Sequence, residues 1–170
     1  SLSLDANTTA SNNVAIGYNS LSANTTGSEL VAVGVNALTA NTTATNNIAI
    51  GFDALKANTI GNTNVAIGTD AMTTNVAADR NVAIGEQALQ NMTAATSTDT
   101  YNIGIGYNAG IAVTSGIRNT ILGAFALKTA TTGQYNTAIG YAALNLNTAD
   151  NNTAVGFEAL LSNSTGEDNT

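Results

Sequence analysis

Side chains that can act as acids, bases or metal ligands are few in this sequence. Among 170 residues there are eleven Asp and Glu and four Lys and Arg, and there is no His or Cys. Without His or Cys, a serine–histidine pair, a thiolate nucleophile and the usual zinc ligands are excluded. Any catalysis or metal binding would therefore depend on carboxylates.

Three carboxylates occupy related positions in the sequence. Asp53, Asp70 and Glu86 each follow a glycine, by two, two and one positions, and these glycines are evenly spaced along the chain. A pair of carboxylates in a groove can hydrolyse glycosides, and calcium also binds oxygen ligands, but no dense acidic loop is present. We favour a solvated surface edge, and we expect a protein that is not an enzyme and holds no cofactor or metal.

The few cations limit the classes of partner. The net charge is −7, and Lys56, Arg80, Arg118 and Lys128 are far apart in the sequence. Nucleic-acid binding needs clustered Lys and Arg, and docking on an anionic membrane needs the same. No apolar run approaches the roughly 20 residues of a transmembrane helix. We therefore expect no nucleic-acid partner and no membrane insertion of this segment.

A unit of about seventeen residues is repeated along the chain. Its most regular copies read Asn-Val-Ala-Ile-Gly, followed by Ala-Leu and then by a stretch rich in Asn and Thr. Most of its glycines keep that spacing, with one longer gap of twenty-one and one shorter gap of sixteen. The longer gap comes from about four extra residues between Gln90 and Tyr101. The repeated glycines are Gly17, Gly34, Gly51, Gly68, Gly85, Gly106, Gly123, Gly140 and Gly156.

The residues before each glycine predict a short β-strand. Large aliphatic or β-branched residues alternate with a small residue, usually alanine, and a period of two is typical of strands. A unit of this size cannot bury a core alone, so we expect the strands to stack in parallel as coils of a solenoid. We predict that the large residues form one continuous core column: Ile16, Val33, Ile50, Ile67, Ile84, Ile105, Leu122, Ile139 and Val155.

Ala and Gly occupy the other side of each predicted strand. We interpret this small-residue side as a surface that allows neighbouring chains to approach closely. After each glycine we expect a bend and then a second short strand or extended segment at the Ala-Leu pair, as at Ala37-Leu38. The Asn/Thr/Gly stretch, such as residues 24–27, is predicted to be the return turn.

An asparagine column precedes the predicted strands, and only Leu30 interrupts it. Amide side chains at the spacing of stacked strands form hydrogen-bonded ladders, and Asn also suits turns with positive φ. We interpret the column as structural rather than as a row of ligand-binding groups. Its members are Asn13, Asn47, Asn64, Asn81, Asn102, Asn119, Asn136 and Asn152.

Aromatic residues follow five of the glycines in an uneven column. We favour packing at a bend or at a subunit interface for these side chains over a surface that stacks on sugars. They are Tyr18, Phe52, Tyr107, Tyr141 and Phe157.

The insertion is the better candidate for a specific contact with another molecule. Loops that depart from a rigid scaffold often carry function, and an insertion in a solenoid projects from one face. The predicted contact loop contains Asn91, Thr93, Thr96 and Asp99.

The string Asn-Val-Ala-Ile-Gly at this spacing resembles the head repeats of trimeric autotransporter adhesins. The copies at residues 136–144 and 152–160 are similar to repeats of phage tail fibres. The resemblance covers nearly the whole chain and implies a left-handed parallel β-roll, as an intertwined or side-by-side homotrimer. It also implies a structural and adhesive role in an extracellular fibre, on a cell surface or a virion, with a host receptor or surface glycan as partner.

The expected fold class is all-β, a repeat β-solenoid of about nine coils, each of seventeen residues. In this interpretation residues 1–170 are a single repeat domain and a fragment of a longer fibrous protein. Two other functions stay open. One is an ice-binding solenoid, in which Thr pairs such as Thr25-Thr26 and Thr42-Thr43 form a regular array. The other is a polysaccharide-binding or polysaccharide-degrading tailspike with a carboxylate pair between chains.

Overall fold

The structure, a computed structural model, describes residues 2–170. Those residues form short strands joined by turns, and none of them forms a helix that could cross a membrane. The strands are β1 (Val14–Ile16), β2 (Val31–Val33), β3 (Ile48–Ile50), β4 (Val65–Ile67), β5 (Ala78–Asp79), β6 (Val82–Ile84), β7 (Thr98–Asp99), β8 (Ile103–Ile105), β9 (Thr120–Leu122), β10 (Thr137–Ile139) and β11 (Thr153–Val155).

Nine of these strands form one parallel sheet in the order β1-β2-β3-β4-β6-β8-β9-β10-β11. Each strand pairs in register with its equivalent in the next repeat, so that Val65 lies beside Val82 and Ile67 beside Ile84. The predicted all-β solenoid with about seventeen residues per coil is confirmed. Parallel strands lie about 4.8 Å apart, so the eight steps from β1 to β11 span about 38 Å.

The glycine after each strand allows the coils to stack closely. Along the repeated column, φ lies between 126° and 138°, a conformation that residues with a side chain rarely adopt. A Cβ atom at Gly51 would lie 2.5 Å from the carbonyl oxygen of Gly68 in the next coil. The close approach therefore occurs between coils of one chain, and the predicted use of the glycines between chains is corrected.

The segment after each glycine is a turn, and the second strand expected at the Ala-Leu pair was wrong. Asn36 and Leu38 have φ values of 57° and 51°, in the left-handed region of the backbone. Ala37 and Leu38 are both buried. Left-handed residues reverse the chain within a few positions, which the short coil requires, whereas an extended segment would carry it away from the core.

The interior lies on the alanine side of the sheet, which overturns the predicted core column. Ala66 and Ala83 are fully buried, whereas Ile16 is 60% and Val155 67% exposed. The coil is narrow, and the strand alanines share its interior with the large side chains of the turns, such as Leu55. Large side chains from both walls would not fit, so those of the strands point outward. The residues corrected from core to surface are Ile16, Val33, Ile50, Ile67, Ile84, Ile105, Leu122, Ile139 and Val155.

One pair of coils shows how tightly this interior is filled. Ile121 is fully buried in the column where most coils have alanine. Gly110 replaces the turn leucine of the neighbouring coil, and a Cβ atom there would lie 2.6 Å from Cδ1 of Ile121. Gly104, in the same coil as Gly110, replaces the strand alanine. A Cβ atom there would lie 2.7 Å from Cγ of Leu89, the turn leucine of the preceding coil. Larger and smaller residues compensate one another, as close packing requires.

Candidate functional site

The predicted asparagine column joins the coils from inside. Oδ1 of Asn64 accepts a hydrogen bond from the backbone N–H of Asn81 in the next coil at 3.0 Å, and its Nδ2 donates to the carbonyl of Ala78 at 2.8 Å. The side-chain-to-backbone bond recurs along the column from Asn13 to Asn152. From Asn47 onward the members are buried. These amides are engaged within the fold and are not presented to a ligand.

A second asparagine column, which sequence reasoning had treated as turn residues, forms a direct amide ladder. Nδ2 of Asn41 donates to Oδ1 of Asn24 at 2.9 Å, and Nδ2 of Asn75 donates to Oδ1 of Asn58 at 2.9 Å. All four side chains are fully buried. Their recurrence at the repeat spacing was the available signal, although Met92, Val113 and Ala130 interrupt the column in the middle coils. The same buried polar residue in successive coils needs a hydrogen-bonding partner.

The outward side of the nine-stranded sheet is a largely apolar strip, which also contains Thr69, Thr120, Thr137 and Thr153. Its three columns hold the residues three and one positions before each repeated glycine and the residue after it. Glu86 is its only charged member. We call this surface the apolar strip. Its most exposed large members are Val14, Ile16, Tyr18, Val35, Ile48, Ile50, Phe52, Ile103, Tyr107, Leu122, Tyr141, Val155 and Phe157.

Aromatic rings line the C-terminal half of this strip. The rings of Tyr141 and Phe157 stack with centroids 5.4 Å apart. Ala124 interrupts the aromatic column, but Phe125 fills the gap with edge contacts to Tyr107 at 5.2 Å and to Tyr141 at 5.8 Å. The five predicted aromatic residues are all exposed in the single chain. Tyr107, Tyr141 and Phe157 pack with Phe125 at the surface rather than in a core.

Of the three carboxylates, Asp53 and Asp70 lie on neighbouring coils in one column, and Glu86 lies in another. Asp53 is largely buried, and its oxygens receive hydrogen bonds from Asn36 Nδ2 and Lys56 Nζ, both at 2.8 Å. Asp70 lies in the same column and is 3.4 Å from the hydroxyl of Thr73, whereas Glu86 lies in the apolar strip. Across residues 2–170 no pocket and no group of three potential metal ligands is present.

The threonine pairs considered for ice binding are partly engaged in the fold. The hydroxyl of Thr25 donates to the carbonyl of Thr42 at 3.0 Å, and that of Thr42 donates to the carbonyl of Thr59 at 3.3 Å. Val76 replaces threonine in the next coil and is exposed. The inner hydroxyls therefore bond to the stack, and only the outer residues, such as Thr26 and Thr43, lie exposed at the surface.

The insertion is held against the solenoid rather than projecting freely. Its strand β7 pairs in parallel with β5. The backbone N–H of Thr93 donates to the carbonyl of Thr114 at 3.0 Å. Of the predicted contact residues, Asn91, Thr96 and Asp99 are exposed, whereas Thr93 is half-buried. Asp99 lies apart from the others because β7 carries it beside Asp79 of β5, within reach of Arg80.

Close to Asp99 the structure brings together four residues that the sequence analysis had not grouped. Arg80, Tyr101, Arg118 and Tyr135 lie on four successive coils, all exposed; we call them the Arg/Tyr column. The Arg80 guanidinium carbon is 5.9 Å from the ring centroid of Tyr101, and that of Arg118 is 5.5 Å from the ring of Tyr135. Half of the cations treated as scattered therefore belong to one cation–π array.

Asp99 links Arg80 and Tyr101, the first two members of this column. One of its oxygens is 2.6 Å from Nη1 of Arg80, and the other accepts a hydrogen bond from the Tyr101 hydroxyl at 2.8 Å. The hydrogen bond to Asp99 is the main cause that raises the pKa of Tyr101 above the ordinary tyrosine value, with burial and the charge of Asp99 adding to it. Nearby Arg80 and Arg118 act in the opposite direction.

The sequence did contain a signal for the Arg/Tyr column. Each member lies five positions before a repeated glycine, so the gaps between members match those between the glycines, including the longer gap across the insertion. Aligning the copies on their glycines would have placed the four side chains in one row. Comparison with known proteins gives no match to a family model, to a curated protein or to a solved structure.

Proposed function

We propose that this chain is a structural and adhesive segment of an extracellular fibre, in which three copies pack around a common axis through the apolar strip. The observation that carries the proposal is the exposure of large apolar side chains along the whole sheet of a single chain. Leaving such side chains in water is unfavourable, and burial against another surface would recover that free energy.

The size of the apolar strip supports burial in an assembly. It is about 38 Å long, and its three columns span about 13 Å across the strands. Its whole area of roughly 500 Å² includes four threonines and Glu86, and its size is within the range of the largest apolar patches on soluble monomers, about 300–600 Å². A surface of this extent, with one charged residue at Glu86, is typical of an interaction site.

Further copies of this chain fit the strip better than an unrelated partner. The strip repeats at the spacing of the coils, so parallel copies around an axis along the rod would bring equivalent columns into contact at every coil. The number three and the place on a cell surface or virion rest on the resemblance of the repeats to adhesin heads and tail fibres. The proposal includes no catalysis, because the carboxylate of Asp53 is already bonded to Lys56 and Asn36.

Light scattering after size exclusion tests the assembly. We expect a mass of about three times the 17.0 kDa of one chain. Ile67→Asp should give a monomer with an unchanged β-type circular dichroism spectrum, since Ile67 is partly exposed in the single chain. Thr43→Asp, at an exposed residue outside the apolar strip, is the matched control and should keep the wild-type mass. A wild-type monomer at high protein concentration, or an Ile67→Asp variant of wild-type mass, would overturn the proposal.

A further inference from the structure

We propose that the Arg/Tyr column binds acidic glycans whose sugars carry carboxylates. The inference deepens the proposed attachment function by naming a ligand class, and it rests on that function. The site consists of Arg80, Tyr101, Arg118 and Tyr135, beside the one insertion in the solenoid. Four coils at about 4.8 Å make it about 14 Å long, which accommodates a short oligosaccharide lying along the rod.

Folding does not require these residue types in this column. The equivalent positions in the preceding coils are Glu29, Asn46 and Thr63, with the same φ of about 60°. Arg and Tyr are less suited than Asn to that left-handed conformation. The left-handed conformation therefore belongs to the fold, whereas the exposure of four Arg and Tyr side chains beside the insertion indicates a use at the surface rather than in the core.

The chemistry of the column matches a carboxylated sugar. A guanidinium group pairs with a carboxylate through two parallel hydrogen bonds, and a tyrosine offers an apolar ring face with a polar tip. Arg80 and Arg118 are two coils apart, about 9.6 Å along the rod, which is about the length of a disaccharide. A glycan with a carboxylate on every second sugar would therefore meet both arginines, with Tyr101 between them.

The two arginines are not equivalent in the free protein. Arg80 is paired with Asp99 at 2.6 Å, so a ligand carboxylate would have to compete with Asp99 for it. Nη1 of Arg118 donates to the Tyr135 hydroxyl at 2.7 Å, a neutral partner that leaves its charge uncompensated. Arg118 is therefore the main anion-binding group, and Asp99 opposes binding by occupying Arg80 and by repelling an acidic ligand.

The test is binding of the full chain to an immobilised polysaccharide of alternating glucuronic acid and N-acetylglucosamine, measured by biolayer interferometry at low and physiological salt. Its carboxyl-reduced form is the neutral control. We expect Arg118→Gln to weaken binding about fivefold, the upper range for an exposed charge pair. Asp99→Asn should strengthen binding. Lys128→Gln, which removes the same charge from Lys128 beside Phe125, should leave binding within about twofold.

Three results would overturn the inference. They are equal binding of the carboxyl-reduced polymer, equal losses for Arg118→Gln and Lys128→Gln, or a changed oligomeric mass of Arg118→Gln, which would assign the column to contacts between chains. A trimer that does not bind the polymer removes the inference and leaves the assembly intact. A monomer that binds it with these variant effects supports the site and removes the proposed assembly.

Discussion

Truncation of Asn64 should show how the buried asparagine columns hold the coils together. Asn64 is fully buried, and its Oδ1 accepts from the backbone N–H of Asn81 at 3.0 Å. In Asn64→Ala this N–H loses its acceptor in the interior. The other two partners keep a bond, because Ala78 O still accepts from Asn75 at 3.1 Å and Asn81 Nδ2 still donates to Asp79 at 3.0 Å.

The expected loss follows from that count of bonds. A buried donor left without an acceptor costs about 1–3 kcal/mol, and the space left by the amide adds about 1 kcal/mol. Asn64→Ala should therefore lower the free energy of unfolding by about 2–4 kcal/mol. Asn24→Ala is the matched control, because Asn24 is equally buried but both of its partners keep another bond. Asn41 Nδ2 still donates to the carbonyl of Ala44, and the carbonyl of Gly27 still accepts from Asn13 Nδ2. No backbone N–H depends on it, so we expect its loss of unfolding free energy to be smaller than that of Asn64→Ala by at least about 1 kcal/mol.

Urea unfolding followed by circular dichroism measures both variants under one set of conditions. Unchanged m-values would show that the two variants expose similar surface on unfolding, so that their midpoints can be compared. If Asn24→Ala were as destabilising as Asn64→Ala, the unpaired backbone N–H of Asn81 would not account for the greater part of the loss. The assignment of this column to coil-to-coil bonding would then be wrong.

Two further predictions concern the glycines and Tyr101. Gly51→Ala should destabilise the protein more than Gly156→Ala in the same urea assay. Both positions have φ above 130°, which costs an alanine about 1–3 kcal/mol, but of the two only Gly51 faces a carbonyl of the next coil. Equal losses in the two variants would contradict this. Asp99→Asn should lower the raised pKa of Tyr101 toward the ordinary value, and the difference between absorbance titrations with and without Tyr101→Phe measures it. Because the pKa of Tyr101 is raised in the folded chain, the stabilisation from its hydrogen bond is present below the ordinary tyrosine pKa and is lost as the pH rises through the raised pKa. An unchanged Tyr101 titration in Asp99→Asn would contradict the assignment of the raised pKa to the hydrogen bond with Asp99.

Sequence patterns predicted the elements better than their environment. The nine parallel strands end at the residue before each repeated glycine, as the alternation indicated. The turn after the glycine was not predicted, because an Ala-Leu pair such as Ala54-Leu55 is too short to separate an extended segment from successive left-handed residues. For the candidate site, Asp99 alone was predicted, within the contact loop. The Arg/Tyr column requires the copies to be aligned across the insertion before its members appear as neighbours.

The repeat itself fixes the period, the parallel register and the position of each strand, because identical short units bury their apolar surface by stacking on one another. Alternation also separates each strand into two sets of side chains, but it does not say which set lies inside. The tertiary structure decides this through the width of the coil. With Leu55 and its equivalents projecting from the turns, only alanine fits on the facing strand, so Ile67 and its equivalents point outward. The same geometry carries Arg80 and Arg118 to one column, since side chains distant in sequence become neighbours once each coil lies on the next.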